Sequence, residues 1–120
     1  MINELISKVF FTRHAAHLAH WATTGDGSFA RHQALGDFYD EVIGKVDKVM
    51  EVYQGNFGRI PKAKLGPTSY DTMEKILSAD VKWLEDNMDE ISQGVRAIEN
   101  LLQDLSGQYF HTLYRIENLK

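Results

Sequence analysis

"HLAHWATTGDGSFARHQALGDFYDEVIGKVDKVMEVY", residues 17–53, decides the fold. A helical pattern enters this stretch, is cut by the polar run TTGDGS at residues 23–28, and resumes directly after it. Leu35, Phe38, Tyr39, Val42, Ile43, Val46, Val49, Met50 and Tyr53 then recur at helical spacing. Together they make the broad apolar band that a bundle core requires. Gly25 can turn left-handed to close the first helix, and Ser28 or Asp26 can cap the second through a side-chain oxygen. The stretch therefore predicts two antiparallel helices joined by a tight turn.

Working outward, Ile2, Leu5, Ile6, Val9, Arg13, Ala16 and His20 extend the first helix over about Ile2 to Thr23, and the second runs to about Gln54. Both prolines, Pro61 and Pro67, fall inside GNFGRIPKAKLGPTS, residues 55–69, which reads as one long loop between two halves. A small helix is expected over Tyr70 to Leu77. Val81, Leu84, Met88, Ile91, Val95, Ile98, Leu102 and Leu105 step by three and four, predicting a long helix from about Ala79 to Leu105. Ser106-Gly107 then reads as a break, and Tyr109, Leu113 and Ile116 as a short last helix. No segment alternates as a strand does. The expectation is a single all-α domain over residues 1–120, an antiparallel four-helix bundle.

Composition narrows the function. There is no cysteine, which excludes disulfide frameworks, zinc ribbons, iron–sulfur clusters and thiol nucleophiles, and makes the cytoplasm the expected location. No apolar run is long enough for a signal peptide or a membrane span. The formal charge is −4, and only residues 58–64, GRIPKAK, form a basic patch. Neither a basic arm nor a basic tail is present, so DNA binding is not expected.

The polar residues around the first turn form a pattern. His20 and His32 flank the turn at similar distances, so an antiparallel pair brings two imidazoles to one height, a platform for Fe, Zn, Mn or Cu. Asp47 and Glu51 stand at i and i+4 on one face of the second helix, where they repel unless a cation or solvent compensates them. Taken singly, each of these is more simply a surface or core-edge residue. His32 and Asp47, however, are about 22 Å apart along one straight helix at 1.5 Å per residue. They can share a metal if two copies of the second helix pack antiparallel about a two-fold axis near residues 40–41. The histidine pair of one subunit would then face the carboxylate pair of the other, twice per dimer.

His20-Trp21, Gly25, Phe29, His32, Asp47 and Glu51 make up H-W-x(3)-G-x(3)-F-x(2)-H-x(14)-D-x(3)-E. This resembles the ferroxidase segment of the Dps proteins, the twelve-subunit mini-ferritins, over about a quarter of the chain. The resemblance implies a ferritin-like bundle, two-fold dimers within a dodecamer, and Fe(II) oxidation by oxygen or peroxide at an inter-subunit site. It also implies that Trp21 supplies or quenches an electron beside that site. The family's acidic ligand one turn after the second histidine falls on Gly36 here. Asp37 lies about 100° further round the helix and is a poor replacement, Asp40 lies two turns from His32, and His17, one turn from His20, can add a nitrogen ligand instead. The chain is also shorter than the family norm, chiefly in its last helix. Two other readings keep the helices but not the chemistry: a metal-binding or structural oligomer holding zinc, and an interaction module with structural histidines.

Overall fold

The computed structural model describes all 120 residues. Four helices form an all-α bundle: α1 (Ile2–Ala22), α2 (Ser28–Phe57), α3 (Met73–Ser92) and α4 (Arg96–Asn118). α1 packs on α2 and α3, and α4 packs on α2 and α3, so α1/α4 and α2/α3 lie across the diagonals. Ion pairs Lys45–Asp104 (2.9 Å) and Arg115–Asp37 (2.7 Å) set α2 antiparallel to α4. Arg31 grips Glu74 with both guanidinium nitrogens at 2.9 Å, which places the start of α3 beside the start of α2. α2 and α3 therefore run parallel, and residues 58–72 return along the length of the bundle. One long crossover between two antiparallel hairpins is the connectivity of ferritin-like folds.

The core follows the sequence stripes. Leu5, Val9 and Ala16 of α1, Leu35, Phe38, Val42 and Val49 of α2, Leu77 and Leu84 of α3, and Ile98, Leu102 and Leu105 of α4 are buried in one cluster. Tyr109 meets Phe38 edge-on at 5.1 Å, closing the centre between α2 and α4. α1 carries further apolar residues, Phe10 and Phe11, on its flanks. Their neighbours explain them: Phe11 packs on Tyr70 at 5.0 Å, and the Gly66 N–H donates to Ser7 Oγ at 2.7 Å, so the crossover lies over α1.

Two boundaries differ from the sequence expectation. The break between the last two helices lies at Gln93-Gly94, and α4 is a full 23-residue helix, with Ser106 buried and Gly107 exposed inside it. Gln93 and Gly94 both take left-handed dihedrals (φ 50° and 81°), and the Gln93 N–H returns to the Asp89 carbonyl at 3.0 Å. That turn consumes so few residues that Ile91, Val95 and Ile98 stay in helical step across it. Gly107 costs α4 about 1 kcal/mol of helix propensity without stopping it. The small helix expected over Tyr70 to Leu77 is instead the first turn of α3, with Thr72 Oγ1 accepting from the Lys75 N–H as its cap.

Candidate metal centre

His20 sits in the last turn of α1 and His32 near the start of α2, joined through the turn at residues 23–27. Gly25 and Gly27 both carry positive φ there (92° and 77°), letting the chain reverse within five residues. The two imidazoles are bound reciprocally. His20 Nδ1 lies 2.6 Å from the His32 carbonyl oxygen, and His32 Nδ1 lies 2.8 Å from the His20 carbonyl oxygen. A carbonyl only accepts, so each Nδ1 carries the proton, and in the neutral ring each Nε2 keeps its lone pair. The rings stack at 3.5 Å between centroids, 20° from parallel.

Gly36 is part of this arrangement. A Cβ at that position would stand 3.0 Å from His20 Cε1 and 3.2 Å from His20 Nδ1. Only a glycine lets the ring lie this close to α2. A carboxylate side chain at position 36 would require the imidazole to move.

The other sequence candidates occupy distinct places. His17 stacks on Tyr39 at 3.9 Å and 12°, with Trp21 against it at 4.4 Å. Its ring is 6.4 Å from that of His20, so it belongs to an aromatic stack beside the histidine pair. Trp21 is 67% exposed. Asp37 is engaged by Arg115 on the α4 side of α2, while Asp40 is exposed and without an ion pair. Asp47 and Glu51 are exposed and also lack ion pairs. Asp47 stands on the rim of an apolar groove of about 290 Å³ between α1, α2 and the crossover. α2 is continuous from Ser28 to Phe57, so Asp47 and Glu51 lie about 22 and 28 Å along the helix from His32 at 1.5 Å per residue. No three metal-ligating side chains converge within one chain. Two neutral imidazoles are donors of a kind that first-row divalent metals accept.

One polar cluster escaped the sequence reading. Asp80 Oδ2 accepts hydrogen bonds from Thr12 Oγ1 and from the Tyr109 hydroxyl, the latter at 2.8 Å, tying α1, α3 and α4 together through a half-buried carboxylate. Burial pushes the Asp80 carboxyl above its ordinary range, opposed by these two hydroxyls and by Lys8. Burial, reinforced by the Asp80 charge, pushes the Tyr109 hydroxyl up. A signal was present: Asp80 falls in the apolar stripe between Leu77 and Leu84, where a carboxylate needs partners. His14 and His111 are exposed, and Trp83 is half-buried beneath the Lys8 ammonium at 5.3 Å.

Fold and site together define a four-helix bundle with a crossover and a histidine pair at its α1–α2 corner. The chain belongs to the family described as "Family of unknown function (DUF5856)", whose model matches residues 20–116. The match takes in both histidines and both carboxylates. No curated protein and no solved structure matches the chain. No helix is long and apolar enough to cross a membrane.

Proposed function

We propose that this protein is a Dps-like iron-binding protein that takes up Fe(II) as substrate between subunits and oxidises it with oxygen or peroxide. The observation that carries the reading is the reciprocal His20–His32 pair. Both Nδ1 atoms are committed to carbonyls, which fixes the tautomer and orients the rings. Both Nε2 lone pairs remain for a metal. Asp47 and Glu51 of a two-fold mate supply the negative charge that a ferrous ion needs, and they lie unpaired in solvent at the matching level. The electron leaving Fe(II) passes to oxygen or peroxide. Trp21, exposed and packed on His17, would donate or quench a stray electron, as the family resemblance implies. The assembly unit is the two-fold dimer, with a dodecamer and iron storage following from the family resemblance. A cytoplasmic location belongs to the same proposal, on the cysteine-free composition.

A second reading is favoured by Gly36. The position that carries an acidic ligand in Dps proteins is here filled by the His20 ring, so the coordination sphere is one carboxylate poorer. Such a site can hold zinc or manganese, or hold iron without turning it over.

Anaerobic Fe(II) titration followed by peroxide separates the two. Rapid growth of ferric absorbance in the wild type, reduced to the buffer rate in His32→Ala, supports the ferroxidase. Saturable binding without oxidation supports the second reading. No saturable binding of Fe(II) or Zn(II) overturns both.

A further inference from the structure

A cleft of about 320 Å³ opens between α1, the crossover and α3, at the small end of the size range of ligand sites. Its crossover wall is pinned at both ends. The Gly66 N–H donates to Ser7 Oγ at 2.7 Å, and the Tyr70 ring rests on Phe11 at 5.0 Å, so Pro67, Thr68 and Ser69 run between two fixed points. Opposite them stands Ala79 of α3, exposed and too small to fill the space.

Four charged side chains line this cleft: Lys8 of α1, Asp71 of the crossover, and Lys75 and Asp80 of α3. None of the four belongs to an ion pair of the chain. Asp80 is the most exacting of them. Both hydrogen bonds that it accepts, from Thr12 and Tyr109, fall on Oδ2, and Oδ1 of this half-buried carboxylate has no partner. A carboxylate oxygen drawn out of bulk water is costly until a donor reaches it. Lys8 does not reach it: its ammonium lies over the Trp83 ring at 5.3 Å and acts on Asp80 through its charge alone. A purely cationic ligand would meet two ammonium groups here, and a purely anionic one two carboxylates. A small molecule holding both charges apart answers both pairs at once. We propose that the cleft binds a free α-amino acid with an apolar side chain. Its ammonium donates to Asp80 Oδ1, its carboxylate accepts from Lys75 and from the Thr68 or Ser69 hydroxyl, and its side chain lies against Phe11 and Ile76. The cleft shares no residue with the histidine corner, so the proposal stands apart from the metal reading.

Isothermal titration of the full chain tests it, with L-valine and L-leucine as probes and isobutylamine and isovalerate as analogues that keep one charge each. At least one of the amino acids is expected to bind saturably in the millimolar range or tighter. Each single-charge analogue should bind about tenfold more weakly or worse, because it leaves one charged pair of the cleft unanswered. Ala79→Leu keeps every charge, places a good helix former on an exposed site and fills the cleft, so binding should be lost with the melting temperature undiminished. Lys75→Ala, also exposed, should weaken amino-acid binding about tenfold and leave isobutylamine binding no weaker. Absence of saturable binding by both amino acids overturns the proposal. So do single-charge analogues that match them, and so does amino-acid binding that survives Ala79→Leu.

Discussion

The bundle contains two polar clusters built on opposite principles. In the first, two hydrogen bonds converge on one oxygen of the half-buried Asp80 carboxylate, from Thr12 and Tyr109 on different helices, and Tyr109 is itself fully buried. At the α1–α2 corner, His20 and His32 have one nitrogen each committed to the backbone and the other free. The first cluster uses its polarity to tie three helices together. The second uses half of its polarity to fix its own geometry and leaves the other half unpaired.

That contrast breaks most visibly at Tyr109. Tyr109→Ala removes a buried ring from between α2 and α4 and a donor from Asp80, and should lower unfolding free energy by about 3–5 kcal/mol. Chemical denaturation measures the loss. Metal titration of the folded fraction should be unchanged, since the corner is untouched.

Asp80 gives a prediction of pH dependence. Its pKa in the fold is raised above 3.8, so the folded chain holds that proton more tightly than the unfolded chain. The favourable contribution is complete below the unfolded value and is lost as pH rises through the folded value. Asp80→Asn removes the dependence. Denaturation from below pH 3.8 to neutrality should show the variant gaining on the wild type as pH rises. A constant difference across that window would mean that the carboxylate is not held as described.

Gly36→Ala sharpens the other half of the comparison with a smaller effect. The methyl group gains about 1 kcal/mol of helix propensity and must displace the His20 ring by a few tenths of an ångström. Stability should therefore shift by less than about 1 kcal/mol, while metal affinity falls about tenfold through lost orientation. Isothermal titration alongside thermal melts would show the two quantities separating.

Much of this was legible in the sequence, and what was not has a physical cause. The α1–α2 turn announces itself through Gly25, Asp26, Gly27 and Ser28, and α2 through an unbroken stripe. The α3–α4 turn does not, because Gln93-Gly94 reverses the chain so tightly that the apolar period runs on through it. Ser106-Gly107 has the composition of a break, yet Ser106 is buried inside α4 and packing overrides propensity. At the candidate site, the spacing of His20, His32, Asp47 and Glu51 was readable, as was the impossibility of joining them within one chain. The reason for Gly36 was not, since only the packed helices show the ring of His20 lying against it. Asp80 was missed because one carboxylate in a stripe resembles a solvated edge until a tyrosine from another helix is seen to reach it.

The central claim is that one subunit's histidines and another's carboxylates make the site, and subunit complementation tests it most directly. His32→Ala and Asp47→Ala chains are each prepared alone, then unfolded together and reassembled in equal amounts. In the mixed dimer one of the two sites pairs an intact histidine donor with an intact carboxylate donor, and the other site has neither. The account predicts no saturable Fe(II) binding in either variant and about a quarter of wild-type capacity in the mixture, since half the dimers are mixed. A mixture that binds no more metal than its two components would contradict it.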